Sequence, residues 1–381
     1  MAQKANRGIP VAPSVLVWAR TSSGHSLEAV AKAIGVTPHL VKEWEKGTAR
    51  PSIHHLEGLA EKAYKRPLAA LLLPRPPDEP PFPADLRTVP EAKRQQFSPG
   101  TQLAIRSAVR LQQLAGELGI GTTSSALPWV AGTDADAAHV AAQFRTLLDV
   151  SSDRQRAWPS ADRALEGWRH AVEGLGIVVF QRPMQVDELR GFALRNGGPP
   201  VVVINGRDPA AARCFTLFHE CAHLLLRAEG VCDWQSVDPS PSVETWANQF
   251  AGEVLVPRSD LLKDPGVAQA GPRSSWRARE LKRLAMEYSV SQEVILLRLV
   301  AEQKTSLAFY QEWRNERPHA VPKRKGGRAI PAKQCVQRHG HRVVVAILKG
   351  ANEGRITTSA ALDALGIRAK HLSKLERMVG G

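Results

Sequence analysis

Residues 201–225 read Val-Val-Val-Ile-Asn-Gly-Arg-Asp-Pro-Ala-Ala-Ala-Arg-Cys-Phe-Thr-Leu-Phe-His-Glu-Cys-Ala-His-Leu-Leu. The first four form a continuous apolar run, as a buried strand does, and Asn205-Gly206 is a turn signal. A helix is expected from Asp208 to Arg227, with Asp208 as its N-cap and Pro209 in the first turn, where a missing N–H is harmless. Phe215, Phe218, Ala222 and Leu225 recur at helical spacing and predict one buried face. His219 and His223 are one turn apart, so both imidazoles leave the same side and can grip one metal ion. Glu220 lies about 100° round the helix, where it can act as general base toward a metal-activated water. Cys221 falls on the core side and reads as a small buried residue rather than a ligand.

Catalytic zinc takes three protein ligands and leaves one position for water, so a third ligand is needed. Downstream lie Glu229, Cys232, Asp233, Asp238, Glu244 and Glu253. Glu244 is the leading candidate, on a helical segment over 243–251 that ends before Pro257. Asn248, one turn on, shares its face and is placed to orient a ligand. The spacing alone equally allows Glu244 to be a solvated carboxylate at the positive end of a helix.

The run from Phe215 to Leu225, followed by Glu244-Thr245-Trp246-Ala247-Asn248-Gln249-Phe250-Ala251, resembles the ImmA/IrrE family of zinc metallopeptidases. That family carries an FTLxHExxHLL helix and then ExxANxFAxxLLxP. The resemblance implies a zinc ion (Zn2+) held by His219, His223 and Glu244, with Glu220 as catalytic acid/base. Leu255-Val256-Pro257 stands where the family has Leu-Met-Pro, and Cys221 replaces the commoner Leu or Ile. It covers about the middle half of the chain.

A second signature lies upstream. Ser26 opens a helical pattern that ends at Gly35, and Val36-Thr37-Pro38 opens another running through Val41 and Trp44. The spacing is that of a helix-turn-helix. Trp44-Glu45-Lys46-Gly47 with Pro51, Leu56 and Leu59-Ala60 resembles the XRE-type repressors, which implies duplex DNA as partner and is compatible with a homodimer. Leu27 stands where that family often has a DNA-contacting Gln. The expected readout face is Thr37, His39 and Lys42, with Arg50 as a phosphate contact. Docking to a protein is the competing use of the domain.

Charge is distributed to match. The formal net charge of +14 sits at the two ends: residues 1–75 hold 11 Lys and Arg against 5 Asp and Glu, and residues 310–381 hold 15 against 5. The middle is nearly neutral, which points to polyanion contacts at the ends. No apolar run follows Met1, and no stretch approaches a membrane span, so a cytoplasmic protein without a membrane partner is expected. Four scattered Cys make no disulfide framework.

The expected fold is mainly α with a small β-sheet. A helical helix-turn-helix domain spans 14–73, a stiff Pro-rich linker 74–83, and a metallopeptidase region 84–309 with its α+β core at about 158–262. Within that region, helices are expected over 98–119, 134–149 and 161–174, and strands over 177–180, 191–194 and 201–204. Strand 191–194 is expected at the sheet edge beside the cleft, where an extended peptide can add by backbone pairing. Residues 277–300 read as a helix-turn-helix-like pair that packs on the peptidase, weakened at its turn by Ser289 in place of Gly. A basic linker follows at 316–333. The last unit, 334–381, is again helix-turn-helix-like, with Arg368, Lys370, His371 and Lys374 on its second helix. The leading reading is a zinc endopeptidase and DNA-binding regulator acting on a repressor-type protein. The competing one is a non-proteolytic repressor or antitoxin, partnered by a toxin protein, with a structural or sensory zinc site.

Overall fold

The computed structural model describes residues 8–77, 97–121, 127–130, 132–185, 187–226, 241–317 and 330–380. Arg227, Glu229, Cys232, Asp233, Asp238 and most of both linkers therefore lie outside the described residues. The chain divides into two compact units: residues 1–82 with 91–106, and the remainder.

In the first unit, helices Pro13–Thr21, Leu27–Ile34, Pro38–Lys46 and Ile53–Gly58 are followed by a wider turn, Leu59–Tyr64, and the short helix Leu68–Leu71. Side-chain caps set the helix-turn-helix. The Ser26 hydroxyl accepts from the Ala29 N–H at 3.2 Å and the Thr37 hydroxyl from the Leu40 N–H at 3.3 Å. Gly35 closes the first helix of the pair at φ 75°, a backbone state other residues enter only with strain. Leu16, Val30, Val41, Trp44, Leu56, Leu59 and Tyr64 form the core. Glu45 does not add to the recognition face: its carboxylate takes two hydrogen bonds from Arg20, at 2.7 and 3.0 Å.

The second unit holds a three-stranded sheet in the order β1–β3–β2, where β1 is Val178–Arg182, β2 Gly191–Leu194 and β3 Val201–Asn205. β3 pairs parallel with β1 (Val178 opposite Val201) and antiparallel with β2 (Gly191 opposite Ile204). All five β3 residues are buried, as a central strand requires. β2 is an edge strand, as expected from the sequence. The outer side of β1 is covered differently: Arg169 donates to the Val179 carbonyl, and helix Pro331–His339 packs against the strand.

The His helix (Ala210–Leu225) lies on β2 and β3, and the Glu helix (Pro241–Leu255) packs beside it. The expected cap is corrected here. The His helix starts at Ala210 with Pro209 in the N-cap position, and no side chain caps it. Asp208 is used in the preceding turn, where its N–H bonds the Asn205 carbonyl at 3.2 Å, so its carboxylate precedes the N-cap position. Burial raises the Asp208 carboxyl above its usual range, against the pull of Arg190 and Arg213.

Helix Ala137–Leu148, without a legible role in the sequence, belongs to the same apolar core. Phe144 makes edge-on ring contacts with Phe218 of the His helix and Phe250 of the Glu helix, at 6.4 and 5.4 Å between centroids. This apolar cluster thus includes residues well before Trp158. Helices Ala278–Tyr288 and Gln292–Ala301 pack on it, joined through Ser289 at φ 55°. Gln155 links the end of the Glu helix to the end of the first of these by donating to the carbonyls of Leu255 and Tyr288, at 2.8 and 3.0 Å.

The C-terminal helices Pro331–His339, His341–Asn352, Thr358–Leu365 and Leu372–Val379 belong to this unit too. Arg182 of β1 donates to His339 Nε2 at 2.6 Å, and Arg342 to the Glu173 carbonyl at 2.9 Å. One expectation fails locally. After Gly366 the chain makes a 3-10 turn over Ala369–His371, so of the four basic residues only Lys374 lies on the last α-helix. A hydrogen bond from the His371 N–H to the Arg368 carbonyl, at 2.9 Å, tightens that turn.

Candidate functional site

Two adjacent helices bring three donors together. His219 and His223 leave one face of the His helix, and Glu244 reaches them from the first turn of the Glu helix. His219 Nε2 and His223 Nε2 are 3.2 Å apart. The Glu244 carboxylate stands 3.3 Å from the first and 3.4 Å from the second. Zinc–nitrogen bonds of about 2.0–2.1 Å at tetrahedral angles put neighbouring donors roughly 3.3–3.4 Å apart, so the spacing fits zinc. Among the described residues this trio is the one group of His, Cys, Asp and Glu gathered closely enough to hold a metal ion.

The donor chemistry fits as well. Asn248 Oδ1 lies 3.1 Å from His219 Nδ1 and can only accept, so Nδ1 carries the proton and Nε2 presents its lone pair to the trio. Two imidazole nitrogens facing each other and one carboxylate need a positive charge among them, a proton or a metal ion. The pKa directions follow from that need. For His219, burial opposes the charged form, but the Glu244 hydrogen bond and the charges of Glu220 and Glu244 outweigh it and raise the pKa. Burial, with His219 adding, pushes His223 down to about 4. The hydrogen bond with His219 lowers Glu244.

Glu220 is not one of the three donors. It is 8% exposed, whereas the Glu244 side chain is 41% exposed, and burial pushes its carboxyl up to about 7. A carboxyl that titrates near neutrality can both take and return a proton. Cys221 is fully buried on the opposite side, and burial raises its thiol far above the ordinary range, consistent with a packing role.

Residues 172–300 match the profile of the IrrE N-terminal-like domain, a peptidase family, and residues 16–62 match that of a helix-turn-helix. The chain fuses an XRE-type helix-turn-helix to an IrrE-like peptidase domain. No curated protein matches it. The match to the IrrE-like domain starts at the end of helix Ala161–Gly174, so helix Ala137–Leu148 supports the site from outside the matched segment. In the helix-turn-helix, Thr37, His39, Lys42 and Arg50 are all exposed. His39 stands 3.5 Å from Glu43, and the Thr37 oxygen doubles as the cap of its helix. Among the described residues, no helix is long and apolar enough to cross a membrane.

Proposed function

We propose that the IrrE-like domain is a zinc endopeptidase and that the helix-turn-helix domain brings it to DNA, where it relieves repression by cleaving a repressor-type protein. The convergence of His219 Nε2, His223 Nε2 and the Glu244 carboxylate at 3.2–3.4 Å, with a buried carboxyl next to it, carries this reading. These three side chains would hold the ion. When bound, zinc supplies Lewis-acid polarisation of a carbonyl and acidifies water.

The chain's own residues do the rest. Asn248 fixes the His219 ring by accepting from its Nδ1 proton. Among the described residues β2 is an edge strand beside the His helix, suited to hold an extended peptide backbone by strand addition. Glu220 takes a proton from the attacking water on its carboxylate as the water oxygen bonds to the peptide carbonyl carbon. It then gives that proton to the amine nitrogen as the C–N bond breaks. Thr37, His39 and Lys42 would read the major groove while Arg50 holds a phosphate.

Glu220→Gln tests the reading because it removes the base and leaves the ligands. The variant should bind zinc as the wild type does and lose cleavage of a repressor-type protein. Equal derepression by Glu220→Gln and wild type would instead support a non-proteolytic repressor or antitoxin with a structural zinc site.

A further inference from the structure

Gly191 begins β2, directly over the His helix. A Cβ there would stand 2.5 Å from Thr216 Cγ2, 2.9 Å from the Val203 carbonyl oxygen and 3.1 Å from Glu220 Cγ. One of these neighbours is backbone of the central strand and another is the hydrocarbon of the carboxylate residue. The missing side chain is what lets the edge strand rest on Glu220.

The chain leading into Gly191 is pinned equally firmly. Asn205, fully buried at the end of β3, donates through its backbone N–H to the Arg190 carbonyl at 2.8 Å. Its Oδ1 accepts from the N–H groups of Met184 and Arg207, at 3.1 and 3.0 Å. Its Nδ2 donates to the carbonyls of Met184 and Leu189, at 3.1 and 3.0 Å. All four of its side-chain hydrogen-bonding positions are used. The start of β2 therefore has a fixed height above the His helix.

We infer that Gly191 is a positioning residue for Glu220: with Asn205 anchoring its approach, it sets the depth at which the Glu220 carboxylate meets a peptide paired along β2. This rests on the reading of Glu220 as acid/base. It leaves the metal ligands untouched, which separates it from a residue that merely builds the site.

Gly191→Ala, Thr216→Ser and the double variant test it in the full-length protein. Gly191→Ala should keep its zinc affinity within about twofold of wild type. Amide hydrogen exchange over 191–194 should rise at least about tenfold as the strand lifts. With a library of quenched fluorogenic peptides, kcat should fall about 10- to 100-fold with little change in KM, the effect expected for a displacement of about 1 Å. Thr216→Ser removes the nearest clash, so the double variant should recover part of both losses. Wild-type exchange and cleavage in Gly191→Ala would overturn the inference. Loss of zinc together with cleavage, unrelieved by Thr216→Ser, would overturn it too, by making Gly191 a folding residue. If the wild type cleaves no peptide while the exchange and its rescue behave as described, the strand placement stands and the peptidase reading fails.

Discussion

Replacing Asn248 by Ala removes one hydrogen bond, from His219 Nδ1 to Oδ1 at 3.1 Å, and leaves His219, His223 and Glu244 themselves in place. Loss of such a partner typically weakens metal binding about 10- to 100-fold, because the ring loses both its orientation and some basicity. Asn248 is exposed, so water can take over part of the bond. A net worth of about 1 kcal/mol for one ordinary hydrogen bond points the same way. The low end therefore applies: about tenfold weaker zinc binding, or about 1.4 kcal/mol. Competition against a chromophoric chelator at pH 7.5 measures it, with thermal unfolding of the metal-free variant as control. Its melting temperature should stay near that of the wild type, since an exposed side chain is lost. Asn248→Asp, which keeps the acceptor and adds charge, should restore or strengthen binding. An Asn248→Ala protein with unchanged zinc affinity would refute the idea that this contact sets the His219 tautomer.

Phe144→Ala should destabilise the peptidase unit by about 3–5 kcal/mol in denaturant unfolding and, on the proposed reading, loosen zinc, since the ring is packed against Phe218 of the His helix and Phe250 of the Glu helix. His339 is 1% exposed, and burial first, then Arg182, Arg169 and Arg338, holds its pKa well below 6.5. The unfolded chain thus binds a proton there that the folded chain refuses, so stability present above about pH 6.5 is lost as pH falls below it. Thermal melts from pH 7.5 to 5.5 should fall less in His339→Phe than in wild type. His39→Ala with Lys42→Ala should erase operator preference in a gel shift while leaving salt-dependent binding to random duplex nearly intact, because base contacts carry specificity and phosphate contacts do not.

Much of this arrangement was legible because it is local. The i,i+4 histidines, the apolar run at 201–204 and the caps at Ser26 and Thr37 each encode their structure within a few residues. The donor geometry around Glu244 depends on packing between two helices, so spacing alone left that residue open. Gly191 carried a signal that went unused: a glycine heading a strand often marks close approach of another element. Helix Ala137–Leu148 showed its apolar face, but nothing local says which helices that face will meet. The C-terminal segment misled most. Arg169, Arg182 and His339, to which the sequence assigned no role, are buried where Pro331–His339 meets β1. Removing 316–381 would uncover that strand as well as delete positive charge, so substitution of the exposed Lys370 and Lys374 is the cleaner probe of any DNA affinity there.

Zinc K-edge X-ray absorption on the zinc-loaded full-length protein tests the central claim most directly. The account predicts one zinc per chain with four nitrogen or oxygen neighbours at about 2.0–2.1 Å, two of them showing imidazole scattering. Glu244→Ala should lose one oxygen neighbour and most of the affinity. A sulfur neighbour at about 2.3 Å would contradict the account, because it would move the third ligand to a cysteine such as Cys232.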